Sequence, residues 1–195
     1  MKAMQEILNI FEQNKGFLCS SEISNHQRYY LDKLLQKKDV SRIRKGIYVL
    51  KNHELYDERV LISKIIPKGV FCLFTAWDFY QLTTSIPSKH YIALGRNIKI
   101  KEIEYPTTQI YYWKDNFYNL GVVEVNIDDN AIKIYDLEKS VCDAIKFRAK
   151  IGDEIVIEVL RNYIKRKDKN LDRLMKYAKT LLIKKAVEQY IKPLL

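Results

Sequence analysis

Two kinds of chemistry are open to this chain from residue type and spacing alone. The first is carboxylate chemistry: Asp136, Glu138 and Asp143 stand close together in YDLEKSVCD, a spacing that suits an acid, a base or metal ligands. The second is the capture of phosphate by cations. Residues 25–51 hold eight Lys or Arg against two Asp, residues 161–185 hold ten against Asp168 and Asp172, and the stretch 52–160 between them is slightly acidic. Positive charge gathered in two places attracts polyanions.

The carboxylates have a simpler use. Asp136 opens a helical pattern, where its side chain can accept free backbone N–H groups and complement the helix dipole. Asp143 follows seven residues later on roughly the same face. The other ingredients of a reaction centre are missing from the sequence: His26, His53 and His90 are scattered, there is no H-x-x-x-H or C-x-x-C spacing, and six glycines form neither a Walker motif nor G-x-G-x-x-G. We therefore assign no catalytic residue, no cofactor and no metal, and read the chain as a binding protein rather than an enzyme. Trp77, Tyr80, Tyr111, Tyr112 and Trp113 offer faces for stacking on bases, yet aromatics at strand and helix spacing read first as core.

The first basic cluster lies in a recognisable order of elements. GFLCSSEISNHQRYYLDKLLQKKDVSRIRKGIYVL, residues 16–50, reads as a short helix, a longer helix and a basic two-stranded hairpin with almost no linker, the order of a winged helix-turn-helix. The longer helix is expected over Asn25 to Lys38, with Leu31, Leu34, Leu35 and Lys38 on one side. A recognition helix docks by its N-terminal residues. Gln27, Arg28 and Tyr29 are thus the expected base contacts, Lys33 and Lys37 the expected phosphate contacts, and Arg28 leads the list. In VSRIRKGIYVL, Gly46 permits a tight turn and Arg42, Arg44 and Lys45 make the wing basic. Ahead of this block, Lys2 to Asn14 is an amphipathic helix with Met4, Ile7, Leu8 and Phe11 on one face, expected to pack on the recognition helix and to stop at Gly16. Ser20 or Ser21 is the expected cap of the short second helix.

The chain of 195 residues, 47% hydrophobic with 14 Tyr, is long enough for two ordered domains. We place them at 1–51 and 55–195, with KNHELYD as the boundary. ERVLISKII reads as a helix stopped by Pro67-Lys68-Gly69, and FTAWDFYQL as a helix capped by Thr75. KHYIAL, TQIYYW, GVVEVNI and NAIKIY read as strands of a small, mainly antiparallel sheet. From Asp136 onward DLEKSVCDAIKFRAK, GDEIVIEVLRNYIKRK, NLDRLMKYAKTLL and IKKAVEQYIKPLL form a helical bundle, so the class is α+β. In the second basic zone Arg161, Lys165, Arg166, Lys167, Lys169 and Arg173 form a candidate second surface facing phosphate, or solvate a loop between helices. Cys19, Cys72 and Cys142 read as reduced, mostly buried thiols. No run of 18 apolar residues and no signal-peptide pattern are present, so we expect a cytoplasmic protein with no membrane partner.

GFLCSSEI, RYYLDKLLQKKDVSRIRKGIYVL, FTAWDFYQLTTSIPSKHYIAL and YDLEKSVCDAIKFRAKI, in this order, resemble the AbiEi antitoxin family of type IV toxin–antitoxin systems in its short winged-helix form. The resemblance spans nearly the whole chain. It implies an N-terminal winged helix that binds double-stranded promoter DNA of its own operon and represses it, and a C-terminal domain that opposes the toxin. It implies that the toxin, encoded alongside, resembles a nucleotidyltransferase, that the system can abort phage infection, and that no stable antitoxin–toxin complex forms. Arg28, Tyr29 and Tyr30 match the family's recognition helix and Arg42, Arg44, Lys45 and Gly46 its wing. Tyr30 is assigned to the core. Asn25-His26-Gln27 stands where family members often have a short Gly-containing turn. A monomeric winged helix covers little DNA, so two or more copies on repeated half-sites are expected. Two other readings stay open: a winged-helix regulator responsive to a ligand or partner, and a nucleic-acid enzyme built on Asp136 and Asp143.

Overall fold

The computed structural model describes residues 2–53, 57–100, 103 and 105–194. Residues 54–56, in the expected linker, and the chain ends at 1 and 195 lie outside the described residues. The architecture is α+β with two small sheets. It divides into two compact units, one of residues up to Val60 with Ile127–Asn130, the other of Leu61–Asn126 and Ala131–Leu195.

In the first unit α1 (Lys2–Gln13) leads into β1 (Phe17–Cys19), a single 3₁₀ turn (Ser20–Glu22), α2 (Asn25–Gln36), β2 (Val40–Arg44) and β3 (Ile47–Leu50). Ile7 and Phe11 of α1 meet Leu31 and Leu34 of α2 together with Leu18, Ile23 and Val40 in one buried cluster. The apolar stripe on each helix thus finds the other, as its period requires. The strands order β1-β3-β2, antiparallel throughout.

The expected short second helix is not there. Phe17–Cys19 instead pairs with β3, leaving one 3₁₀ turn, and the residue ahead of that turn is Cys19, not Ser20 or Ser21. The Glu22 carboxylate accepts the Cys19 N–H at 2.7 Å and is itself held by Asn14. A capping carboxylate three residues in does the work assigned to the serines. Gly46 sits in the two-residue turn between β2 and β3 with φ +84°, and a Cβ there would stand 2.9 Å from Ser20 Oγ. Both the backbone conformation and the close approach demand glycine.

In the second unit a five-stranded sheet has the order β6-β5-β4-β8-β7, where β4 is Val70–Phe71, β5 His90–Gly95, β6 Thr108–Trp113, β7 Val122–Ile127 and β8 Asn130–Tyr135. The four strands read from sequence are all present. The sheet is mixed rather than mainly antiparallel: β5 pairs with β6 in parallel and β4 with β8 in parallel, while β4 pairs with β5 antiparallel, and β7 lies beside β8 across a two-residue turn. The chain re-enters the sheet with Thr108 opposite His90, and two-residue β4, too short to show alternation, inserts at the centre. Strand direction is set by where the chain re-enters the sheet, which side-chain periodicity does not encode.

Helices α3 (Glu58–Ile65), α4 (Leu73–Phe79) and the short α5 (Asp115–Tyr118) accompany the sheet. Thr75 does not cap α4; Cys72 holds that position, and Thr75 is buried with its Oγ1 accepting the Tyr91 N–H at 2.8 Å. The chain then closes with α6 (Leu137–Ile151), α7 (Asp153–Lys165), α8 (Leu171–Thr180) and α9 (Lys184–Ile191). All residues from Leu137 to Ile145 are buried, so α6 is the axis on which α7, α8 and α9 pack.

The buried stretch of α6 contains charges. Asp136 caps it by accepting the Lys139 N–H at 2.8 Å and takes a second hydrogen bond from Tyr177 Oη at 2.8 Å. Lys139, 0% exposed, donates to both oxygens of Asp143, 1% exposed, at 2.7 Å. Its ammonium also lies 4.2 Å from the Trp113 ring centroid and 4.1 Å from that of Tyr135. A Cβ on Gly121 would come 2.7 Å from Lys139 Cβ, so glycine at that point lets the backbone close over the lysine. Removing one partner of such a pair strands a buried charge, whereas replacing both leaves none. Lys139→Met is expected to cost about 3–5 kcal/mol in denaturant unfolding. The double variant Lys139→Met/Asp143→Leu should recover most of that loss; equal destabilisation by both variants would show that the ion pair is not what fixes this core.

Candidate nucleic-acid interface

The polar face of α2 is built from its capped end. Ser24 precedes the helix, its Oγ accepting the Gln27 N–H at 3.3 Å, while Gln27 Oε1 accepts the Ser24 N–H at 2.8 Å. This reciprocal pair is a capping box, and its signature S-x-x-Q was legible in the sequence at 24–27. Gln27 Nε2 donates to Glu6 of α1 at 3.2 Å. Gln27, expected to read bases, is thereby committed to fixing the start of α2 and its pitch against α1. Ser24 and Glu6 are the residues that the motif reading missed.

Beyond the cap, Arg28, Lys33 and Lys37 are exposed, and Tyr29 is 57% exposed. Lys33 Nζ lies 4.6 Å over the Tyr29 ring, and the neighbouring Tyr29 side chain raises the ammonium above the ordinary lysine value. It therefore stays charged. Tyr30 is half-buried against the Ile7–Phe11 cluster, in keeping with its assignment to the core. The helix ends two residues earlier than expected. Lys38 leaves it in the left-handed region (φ 59°), and the Asp39 N–H returns to Leu34 O at 3.0 Å. Such a closing turn is one that glycine normally fills, and Lys38 stands exposed rather than on the apolar side.

On the hairpin Arg42 and Lys45 are exposed, and Arg42 Nε donates to Arg44 O at 3.4 Å. Arg44 differs. The register between β2 and β3 slips between Arg42 and Arg44, which turns Arg44 inward; it is half-buried, and its Nη1 is buried without a hydrogen-bond partner. The structure thus brings Arg28, Tyr29, Lys33, Lys37, Arg42 and Lys45 to the surface of one unit, and withdraws Gln27 and Arg44 into its framework.

The second basic zone is divided in the same way. Arg161, Lys165 and Lys167 are exposed. Arg166 is bound through Nε and Nη2 to Asp168 at 2.8 and 2.7 Å and through Nη1 to Tyr80 O at 2.8 Å. The guanidinium holds the Asp168 carboxyl below the usual carboxylate range. Lys169 donates to Arg166 O at 3.0 Å, and Arg173 reaches Glu138 at 3.5 Å. Three of the six expected cations therefore serve the loop and the helix start that follow α7.

The acidic trio is enclosed. Asp136, Glu138 and Asp143 are 7%, 2% and 1% exposed. Glu138 accepts the Asn170 N–H at 2.9 Å and the Tyr163 hydroxyl at 3.3 Å. Burial lifts the Asp143 carboxyl above its ordinary value, against the pull of Lys139. Trp77 is buried with its indole N–H on Ser140 O at 2.8 Å, and Trp113 stacks on Tyr135 and Phe147. Of the five aromatics considered for stacking, Tyr112 alone is exposed. Cys72 and Cys142 are buried free thiols raised above their ordinary value by that burial, and Cys19 is half-buried. Among the described residues no group of three or more His, Cys, Asp or Glu is placed to hold a metal ion, and no helix is long and apolar enough to cross a membrane.

A scan against protein-family models finds none that matches this chain, and a search of the curated proteins finds no match.

The cap and the closing turn make opposite predictions for thermal unfolding. Ser24→Ala is expected to cost about 1 kcal/mol by orphaning a helix-start N–H. Lys38→Gly should gain roughly 0.5–1 kcal/mol by relieving a left-handed non-glycine residue. A Ser24→Ala protein that melts like the parent would remove the capping box from the account of how α2 is set.

Proposed function

We propose that this chain is an antitoxin of a type IV toxin–antitoxin system of the AbiEi kind. In this reading its first unit is a winged helix-turn-helix, shortened at its second helix to one 3₁₀ turn, that binds the double-stranded promoter DNA of its own operon and represses transcription. The second unit supports neutralisation of a nucleotidyltransferase-like toxin without a stable complex. The observation that carries the DNA reading is the division of labour on α2. Its apolar side is tied to α1 and to β2, while Arg28, Tyr29, Lys33 and Lys37 face solvent next in sequence to a hairpin bearing exposed Arg42 and Lys45. Arg28, in the first turn, is the base reader, since arginine makes two-pronged contacts with guanine edges. Lys33, Lys37, Arg42 and Lys45 answer phosphates. The site is small, so two or more copies on repeated half-sites are required.

A second reading has its own support. A cavity of about 530 Å³ lined by Leu171, Met175, Glu188, Ile191 and Lys192 combines apolar walls with two polar groups, the make-up of a small-molecule site. It favours a ligand-responsive winged-helix regulator unrelated to a toxin. Promoter binding without rescue of cells expressing the neighbouring toxin would select that reading over the antitoxin.

Titration of the full chain against the DNA upstream of its own gene and against a scrambled duplex, at two salt concentrations, is the deciding experiment. Preferential binding that weakens with salt is expected. Arg28→Ala should lose about 1–3 kcal/mol on the promoter and little on the scrambled duplex. Arg42→Ala and Lys45→Ala should weaken both alike and lower the salt slope by about 1 each. No preference for the promoter in the parent would end the repressor reading.

A further inference from the structure

A second concentration of positive charge in the second unit, apart from the loop after α7, lies at the corner where α6, α8 and α9 meet. There a groove of about 560 Å³ is lined by Arg148 from the last turn of α6, Lys179 from the last turn of α8, Lys184 and Lys185 from the start of α9, and Leu182 between them. The lining contains four cations and no carboxylate. Among the described residues Glu188 lies 3.6 Å from Lys184, with both side chains more than half exposed, and Arg148 Nη1 donates to Ile145 O at 3.0 Å, which leaves the rest of its guanidinium facing the groove. At that exposure the Lys184–Glu188 pair neutralises little. The arrangement keeps like charges together, a cost that a bound polyanion relieves.

The turn that builds the corner points the same way. The Ile183 N–H returns to Ala178 O at 2.9 Å, so the chain reverses sharply and sets Lys179 beside Lys184 and Lys185. Leu182 occupies the left-handed position of that turn (φ 58°) and is 87% exposed. Neither backbone preference nor packing explains a leucine there, because glycine or asparagine suits that conformation better and the side chain buries almost nothing. An apolar side chain held out among four cations is suited to a ligand with negative charge and an apolar face side by side.

We infer that this groove binds the phosphodiester backbone of a single-stranded nucleic acid, with Arg148, Lys179, Lys184 and Lys185 on phosphates and Leu182 against a base or sugar. A cleft of this volume admits about one or two nucleotides of a strand, and single strands leave their bases free to meet side chains. No aromatic residue lines the groove, so binding is driven by charge and tolerates sequence. This site is separate from the duplex-reading face of α2.

The test uses the full chain and a fluorescein-labelled 12-nucleotide RNA of mixed sequence, read by anisotropy at several salt concentrations, with the same sequence as single-stranded DNA to separate the two sources and a duplex DNA of equal length as comparison. Lys179→Ala/Lys184→Ala/Lys185→Ala is expected to weaken RNA binding at least tenfold at low salt. It should lower the slope of log affinity against log salt by about 2, roughly 0.7 for each phosphate that the variant no longer neutralises. Arg96→Ala/Lys99→Ala/Lys114→Ala removes the same charge from exposed positions outside the groove and should stay within twofold of the parent. Arg28→Ala should leave RNA binding intact while losing promoter preference, which keeps this inference distinct from the repressor reading. Equal losses in the two triple variants would reduce the effect to net charge and overturn the proposal. So would unchanged RNA binding in the groove variant, or duplex DNA binding the parent as tightly as RNA and losing the same factor. Matching circular dichroism melts of both triple variants and the parent would show that folding is not what changed.

Discussion

The second unit depends on charges it has buried. The first turns of α6 lie at its centre, and Asp136, Glu138, Lys139 and Asp143 come with them. An ion pair taken out of water is tolerated only if both partners find each other and the remaining valences are met. Lys139 satisfies that condition through both oxygens of Asp143 and the faces of Trp113 and Tyr135. Asp136 and Glu138 extend the network outward to Tyr177 on α8, to Tyr163 on α7 and to the Asn170 cap of α8. The helices α7 and α8 that pack on α6 are thereby tied to one set of polar contacts.

The same requirement explains the fate of the carboxylates. A reaction centre needs access to substrate, whereas these three groups are enclosed and bonded within the unit. The aromatics that looked available for stacking share this fate, since Trp113 and Tyr135 serve as the walls of the lysine site. Around this interior the positive charge is left at the surface, and the structure sorts it by partner. Arg166, Lys169 and Arg173 are drawn into hydrogen bonds that shape the loop after α7. Arg148, Lys179, Lys184 and Lys185 are gathered around an open groove, Arg148 with one bond to Ile145 O and Lys184 in an exposed pair with Glu188.

The first unit solves a smaller problem with local means. A capping box starts α2, a tight C-terminal turn ends it, and a glycine lets the hairpin approach Ser20. These devices stiffen a helix whose outer face carries uncommitted cations. In the proposed reading that stiffness is what lets Arg28 and its neighbours meet a duplex without being ordered first, so that less conformational entropy is lost on binding.

Many features that depend on neighbours along the chain were legible in the residues alone, although the caps expected at Thr75 and at Ser20 or Ser21 are not the ones the chain uses. The helical periods of α1, α2 and α6 to α9, the four longer strands, the Asp136 cap and the turn at Gly46 follow from spacing and backbone preference, which act over a few residues. Even the capping box at Ser24 and Gln27 was present as a local signature. Features that depend on residues far apart were settled only when the chain folded. Two-residue β4 and the parallel pairing of β5 with β6 depend on where distant segments re-enter the sheet. The withdrawal of Gln27 depends on Glu6, twenty-one residues away, and that of Arg44 on a slip in strand register. Which lysine is buried and which is free, Lys139 or Lys179, is likewise set by the surroundings the fold supplies. A charge has no period of its own; its solvation and its partners are fixed only when the chain has closed around it.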